Sequence, residues 1–264
     1  MKNETKSEFL KFFLNLIIIV IGTLIFGVLL EKFKNDESFR TTLIKDYYSP
    51  LKVKELECNY KSNEYSKAYF GIGNYYSELQ SRYIANKKGT GPSLTIEYQK
   101  YLIDTLKSAM DLSKKAEKIG YELRSCRGEL RQLHVELSLV TGSYHEVVDS
   151  YNKKQSEIQK EQDRLKIESD KFTEMSKDKL QDKILNNFFK VGDPSRSVNE
   201  DDNKFLDNFI EKDMPSLIPV FHKVAEIEIE VSNIEKKYNK IIDEKIELEI
   251  NERFRRGLLS RIGL

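Results

Sequence analysis

The 264-residue chain has no tryptophan, five prolines, twelve glycines and almost no net charge, with 44 Lys and Arg against 43 Asp and Glu. So few turn formers argue against a many-stranded sandwich or barrel, which needs a turn signal every few residues. A formal net charge of +1 removes the electrostatic footprint of a dedicated nucleic-acid binder. What is abundant is charge of both signs, at 33% of residues, set among helix formers. That composition reads as all-α.

One stretch departs from this polarity. From Phe12 through Leu30 no residue is charged, and Asn15 is the only strongly polar side chain. At 1.5 Å per residue this run covers roughly 28 Å, close to the thickness of a bilayer hydrocarbon core. It ends in Gly27-Val28-Leu29-Leu30-Glu31-Lys32 with no Ala-x-Ala cleavage pattern, so it reads as an uncleaved transmembrane anchor over 9–31. Phe12, Leu16, Ile19, Gly22, Phe26 and Leu30 mark its length, and the bilayer is its partner. Lys2, Lys6 and Lys11 precede it while Lys32, Lys34, Arg40 and Lys45 follow, so the positive-inside rule does not choose an orientation. A short basic tail tends to stay inside and long domains translocate regardless of charge, which tilts the reading to an exported C-terminal part. A Lys-, Ile- and Asn-heavy composition suggests a bacterial inner membrane.

After the tail (1–8) and the anchor, a juxtamembrane helix is expected over 32–50, broken at Ser49-Pro50 because the residue before a proline disfavours the helical region. A long helical hairpin or coiled coil is expected over 51–190. Its first seam is Cys58, Ser62, Tyr65, Tyr69, Ile72, Tyr76, Leu79 and Tyr83, interrupted by Gly71 and Gly73, which mark a kink or a close helix approach. Lys87–Ser93 is a turn. The next seam runs through Leu112, Ala116, Ile119, Leu123, Cys126, Leu130, Leu133, Leu137 and Val140. At Thr141-Gly142-Ser143 a helix end and capping box compete with a continuous, bent helix, and continuity is the expectation. Beyond it, Val148, Tyr151, Gln155, Ile158, Gln162, Leu165, Ser169 and Phe172 form a half-polar seam that suggests self-association or a partner helix. An acidic irregular linker (191–203) leads to a short helix and a C-terminal coiled-coil helix (204–256). The latter carries Val224, Ile227, Val231, Ile234, Tyr238, Ile241, Lys245 and Leu248 in heptad register, with Lys245 as a register device. A basic-apolar tail (257–264) closes the chain, and Arg253, Phe254, Arg255, Arg256 and Arg261 form a candidate docking segment.

Cys58 and Cys126 fall on facing seams of a hairpin centred near residue 90. Two readings fit: an interhelical disulfide, which implies an oxidising compartment, or two buried thiols acting as small apolar side chains. Eight tyrosines between Tyr47 and Tyr83 pack a core at heptad spacing, with Tyr60 and Tyr75 left over for a second contact surface.

Signs of chemistry are sparse. His145-Glu146-Val147-Val148-Asp149 has a helical zinc-protease spacing but carries Asp where the second His belongs, and His134 and His222 supply no third ligand at a known spacing. His222 and Glu226 share a helix face as an ordinary i,i+4 pair. Gly71-Ile72-Gly73 lacks the strand and the third glycine of a dinucleotide loop. The sequence therefore points to a protein without enzymatic activity or cofactor, and identifies no small-molecule substrate. The leading expectation is a membrane-anchored helical scaffold or tether that self-assembles or binds a coiled-coil partner. The alternative is an effector or signal transducer whose spans assemble through Asn15, Gly22 and Gly27.

Overall fold

Helix formers without glycine or proline over long stretches give long helices, and the computed structural model describes them across residues 2–91, 96–176, 204 and 207–253. Helix α1 spans Lys2–Leu43, α2 Ser49–Lys87, α3 Ile96–Thr141, α4 Tyr144–Ser176 and α5 Met214–Arg253. No strand occurs among the described residues. Four long helices, α2 to α5, pack together as a helical bundle. The linker 191–203 and the tail 257–264 lie outside the described residues.

The expected break at Ser49-Pro50 does not occur. Ile44–Tyr48 forms a π-helical turn between α1 and α2, and the Ser49 N–H donates to the Ile44 carbonyl. Proline lacks an N–H and its ring collides with the carbonyl four residues back, and the widened π turn absorbs both problems without ending the helix. The same solution recurs at Met214-Pro215, where the π turn Phe209–Asp213 runs into α5. What reads as a separate short helix is thus fused to the last long one.

The expected continuity through Gly142 is also corrected. Gly142 has φ +88°, a left-handed value that ends α3, and the Ser143 carbonyl accepts from the Val147 N–H at 3.0 Å to start α4. The Ser143 and Thr141 hydroxyls meet at 2.9 Å inside the turn. The chain reverses here, placing the Arg131 guanidinium 5.6 Å from the Tyr151 ring.

The helices contribute to two compact units. The first holds the described parts of Met1–Lys52, Leu133–Val147 and Ile242–Leu264. Its buried side chains include Leu43, Leu51, Leu137, Val147, Ile242, Ile246 and Ile250. Asp243 is buried there beside Lys52 and lies 3.5 Å from the His134 Nε2.

The second unit holds Val53–Gln132 and the described parts of Val148–Ile241. Within it α2 and α3 run antiparallel, as Lys61 meets Glu122 at 2.8 Å while Lys54 meets Glu129 at 2.8 Å. Helices α4 and α5 do the same, with Arg164 on Glu230 and Tyr238 on Glu157. Leu79, Leu102, Leu106, Phe209, Ile210, Met214 and Leu217 form an apolar cluster in it, with Tyr76 stacked on Phe221 at its edge. Of the two readings of Gly71 and Gly73, close approach is the one realised. A Cβ at Gly71 would lie 2.6 Å from the Leu112 side chain, and one at Gly73 would lie 2.5 Å from the His222 ring.

Candidate functional site

Two features stand out from ordinary helical packing. The first is the apolar part of α1, which is long and apolar enough to cross a membrane. Leu16, Ile17, Ile18, Ile19, Val20 and Ile21 are consecutive and all exposed, so apolar surface faces outward around the whole helix and not along one stripe. The one hydroxyl in this run, on Thr23, donates to the Ile19 carbonyl at 2.7 Å and needs no water. Of the residues expected to mark the anchor, Leu16, Ile19, Phe26 and Leu30 are exposed, and Gly22 and Phe12 lie in the same helix.

The second feature is a cluster of ions inside the second unit. Arg127 on α3 reaches across to α5, donating to Glu228 at 2.6 Å through Nη2 and to Glu235 at 2.9 Å through Nε. Ser62 on α2 adds a hydroxyl to the same Glu228 oxygen at 2.6 Å. Burial works against the Arg127 charge, but Glu235 and Glu228 outweigh it and hold the guanidinium above its usual range. Burial pushes Glu228 up, while Arg127 and Ser62 pull it back.

Lys154 on α4 is 8% exposed and differs from these. Its Nζ donates to the Asn239 Oδ1 at 3.2 Å and lies 4.1 Å from the Tyr151 ring centroid. Desolvation pushes its pKa down to about 8, with Glu235 and Glu55 attracting the charge and Arg127 and Arg131 opposing it. A cleft of about 300 Å³ opens beside it, lined by residues of α3, α4 and α5 that include Arg127, Gly128, Arg131, Tyr151, Lys154, Ile158, Val231 and Glu235. A smaller one of about 230 Å³ shares Arg127, Gln162 and Val231 with it.

Most residues of the expected seams are inside. Ile119, Leu123, Leu130, Leu137, Val231 and Tyr238 are buried, and Leu112, Leu133, Ile234 and Ile241 are half-buried. Leu248 is a correction: it is 57% exposed, because α5 continues its buried line through Ile242, Ile246 and Ile250 in steps of four. A straight helix repeats at 3.6 residues, so a strict heptad count drifts off the buried face. Lys245 is half-buried and donates to the Glu146 carbonyl at 3.3 Å. Glu226 pairs with Lys223 at 3.0 Å, not with His222, whose ring packs on Phe70. No cluster of metal-binding side chains is found among the described residues.

Cys58 and Cys126 are joined by a disulfide between α2 and α3. In the docking segment, Arg253 is the last residue of α5, while Phe254, Arg255, Arg256 and Arg261 lie outside the described residues.

Lys154 is the residue that sequence reasoning misses. The apolar count on α4 passes through Gln155, which is exposed, whereas the buried line is Val147, Ser150, Tyr151, Lys154 and Ile158. The signal was present as Val147, Tyr151 and Ile158 at steps of four and seven, but the heptad count steps four from Tyr151 onto Gln155 and so passes over Lys154. Compared with known proteins, the chain matches no protein-family model, no curated protein and no solved structure.

Proposed function

We propose that the protein is a single-pass membrane-anchored scaffold or tether whose helical bundle is exported and self-assembles. The observation that carries the anchor is the run of consecutive exposed apolar residues Leu16–Ile21, a surface that water does not tolerate and a bilayer core does. The Cys58–Cys126 disulfide supports export, since such bonds persist in oxidising compartments. The heptad seams of α2, α3 and α5 support coiled-coil packing between antiparallel helices.

Self-assembly has its own surface. On α2, Val53, Leu56 and Tyr60 are 67%, 70% and 65% exposed at spacings of three and four, an open heptad stripe. A shared anchor holds copies in one plane with one orientation, so identical stripes meet in a parallel, isologous pair. The inner-membrane location and the scaffold role rest on these features together.

Protease protection of a C-terminal tag tests the topology. Cleavage in intact spheroplasts is the expected result, and cleavage only in inverted vesicles would place the bundle in the cytoplasm. A photo-crosslinking side chain at Leu56 tests the assembly in the same membranes. A dimer that Tyr60→Glu removes is expected, and a monomer at every expression level would overturn self-assembly.

A further inference from the structure

Buried charges in proteins are paired, because removing an ion from water costs several kcal/mol unless an opposite charge compensates. Arg127, Glu228 and Glu235 obey this rule as a closed group. Lys154 does not: among the described residues no carboxylate lies within 4 Å of its Nζ, and Asn239 supplies a single neutral acceptor to an ammonium with three donors. Tyr151 presents its ring face to the same Nζ. The Arg131 guanidinium, exposed and likewise without a carboxylate partner among the described residues, lies against the same ring. Two cations with no carboxylate within 4 Å among the described residues therefore flank one aromatic ring in the wall of a cleft, where Glu228 and Glu235 are paired with Arg127 and where Glu235 and Glu55 act on Lys154 only from farther away.

The rest of the lining constrains what would neutralise them. Ile158, Val231 and the Tyr151 ring give apolar walls, and a volume of about 300 Å³ is at the small end for ligand sites. A Cβ at Gly128 would meet no atom within 4 Å, so the cleft is open above that residue. An inorganic phosphate would satisfy the charges but leave these walls bare, while a small organic anion fills both.

We propose that this cleft binds a small organic carboxylate, its carboxylate paired with Lys154 and Arg131 and its apolar body against Tyr151, Ile158 and Val231. The site is independent of the anchor and of the α2 stripe, and the ligand supplies the counter-charge that the fold withholds from Lys154.

Isothermal titration calorimetry of the full chain in detergent micelles tests it, with benzoate and butyrate as probes, inorganic phosphate and benzyl alcohol as controls. Benzoate or butyrate should bind, Lys154→Met should weaken binding roughly tenfold or more, as truncating one partner of a buried charge pair does, and Arg131→Gln, at an exposed position, should weaken it roughly two- to fivefold. Gly128→Met should block the cleft without changing its charge. Lys154→Met removes a buried ion and should melt no lower than the parent, so its loss of affinity would not reflect unfolding. Absence of carboxylate binding, binding that survives Lys154→Met, preference for phosphate, or equal affinity for benzyl alcohol would each overturn the proposal.

Discussion

Around Phe209 the second unit is dry, with leucines, an isoleucine and a methionine packed from α2, α3, the π turn and α5. Around Arg127 the helices instead enclose two carboxylates, a guanidinium and an ammonium, with Ile158, Ile227 and Val231 as the neighbouring apolar cluster. Helices α3 and α5 contribute to both regions, so the difference is one of side chains and not of architecture. Apolar burial stabilises in proportion to area, whereas a buried ion pair roughly offsets its own desolvation and an unpaired ion does not. The dry end thus contributes more to stability than the ionic region does. The disulfide lies beside the ions, since Cys126 precedes Arg127 and Lys54 and Lys61 bracket Cys58 with pairs to Glu129 and Glu122.

The contrast breaks most visibly at the dry end. Phe209 is 1% exposed at the centre of its cluster, so Phe209→Ala should cost about 3–5 kcal/mol, read as a lowered midpoint in chemical unfolding. A loss under half that would show that the π turn adds little to the core. Next in size is the covalent tie. The bond closes a loop of 68 residues, and replacing both Cys58 and Cys126 by Ser should cost about 2–4 kcal/mol through the freedom returned to the unfolded chain. Reductant should reproduce the shift in the parent and have no effect in the double variant.

The ionic region should respond in the opposite direction. Lys154→Met should stabilise the protein at neutral pH by about 1–3 kcal/mol, less what the Asn239 contact contributes. The sign follows from linkage. A lysine whose folded pKa is pushed down to about 8 binds fewer protons folded than unfolded between there and its ordinary value, so stability rises with pH across that window. The parent should gain stability from pH 8 to 10 and Lys154→Met should not. Above pH 10 the half-buried phenols of Tyr65 and Tyr76, pushed up by desolvation, work the other way and cap the rise.

The dry end was the more legible one. Leu79, Tyr76 and Ile72 repeat at the helical period, and there Leu79 and Ile72 are buried and Tyr76 half-buried. Its π turn was not, because a proline preceded by helix formers reads as a stop, and only the geometry of the preceding turn decides whether the helix ends or widens. Gly142 carried a correct signal for a helix end, outweighed in the sequence by the heptads on either side. The exposed apolar run of α1 was legible without any partner, since its whole circumference is apolar. The cleft was invisible, because its character lies in what Lys154 and Arg131 lack, and a missing counter-ion is a property of three dimensions. Cys58 and Cys126 lay between these extremes: their seam positions allowed a bond without choosing it.

The smallest expected effect is also the sharpest check on the ionic region. Gln155 occupies the core position of the heptad count, and Lys154 is one residue before it, yet the fold buries the lysine and exposes the glutamine. One residue on a helix is a rotation of about 100°, enough to exchange inside for outside. Gln155→Ala should therefore change stability by less than about 0.5 kcal/mol, as for a surface site, while its neighbour Lys154→Met gives the gain and the altered pH slope described above. Equal responses at the two positions would mean that α4 is rotated from the orientation that lines the cleft, and the ionic region would then have to be redrawn around Gln155 and Gln162.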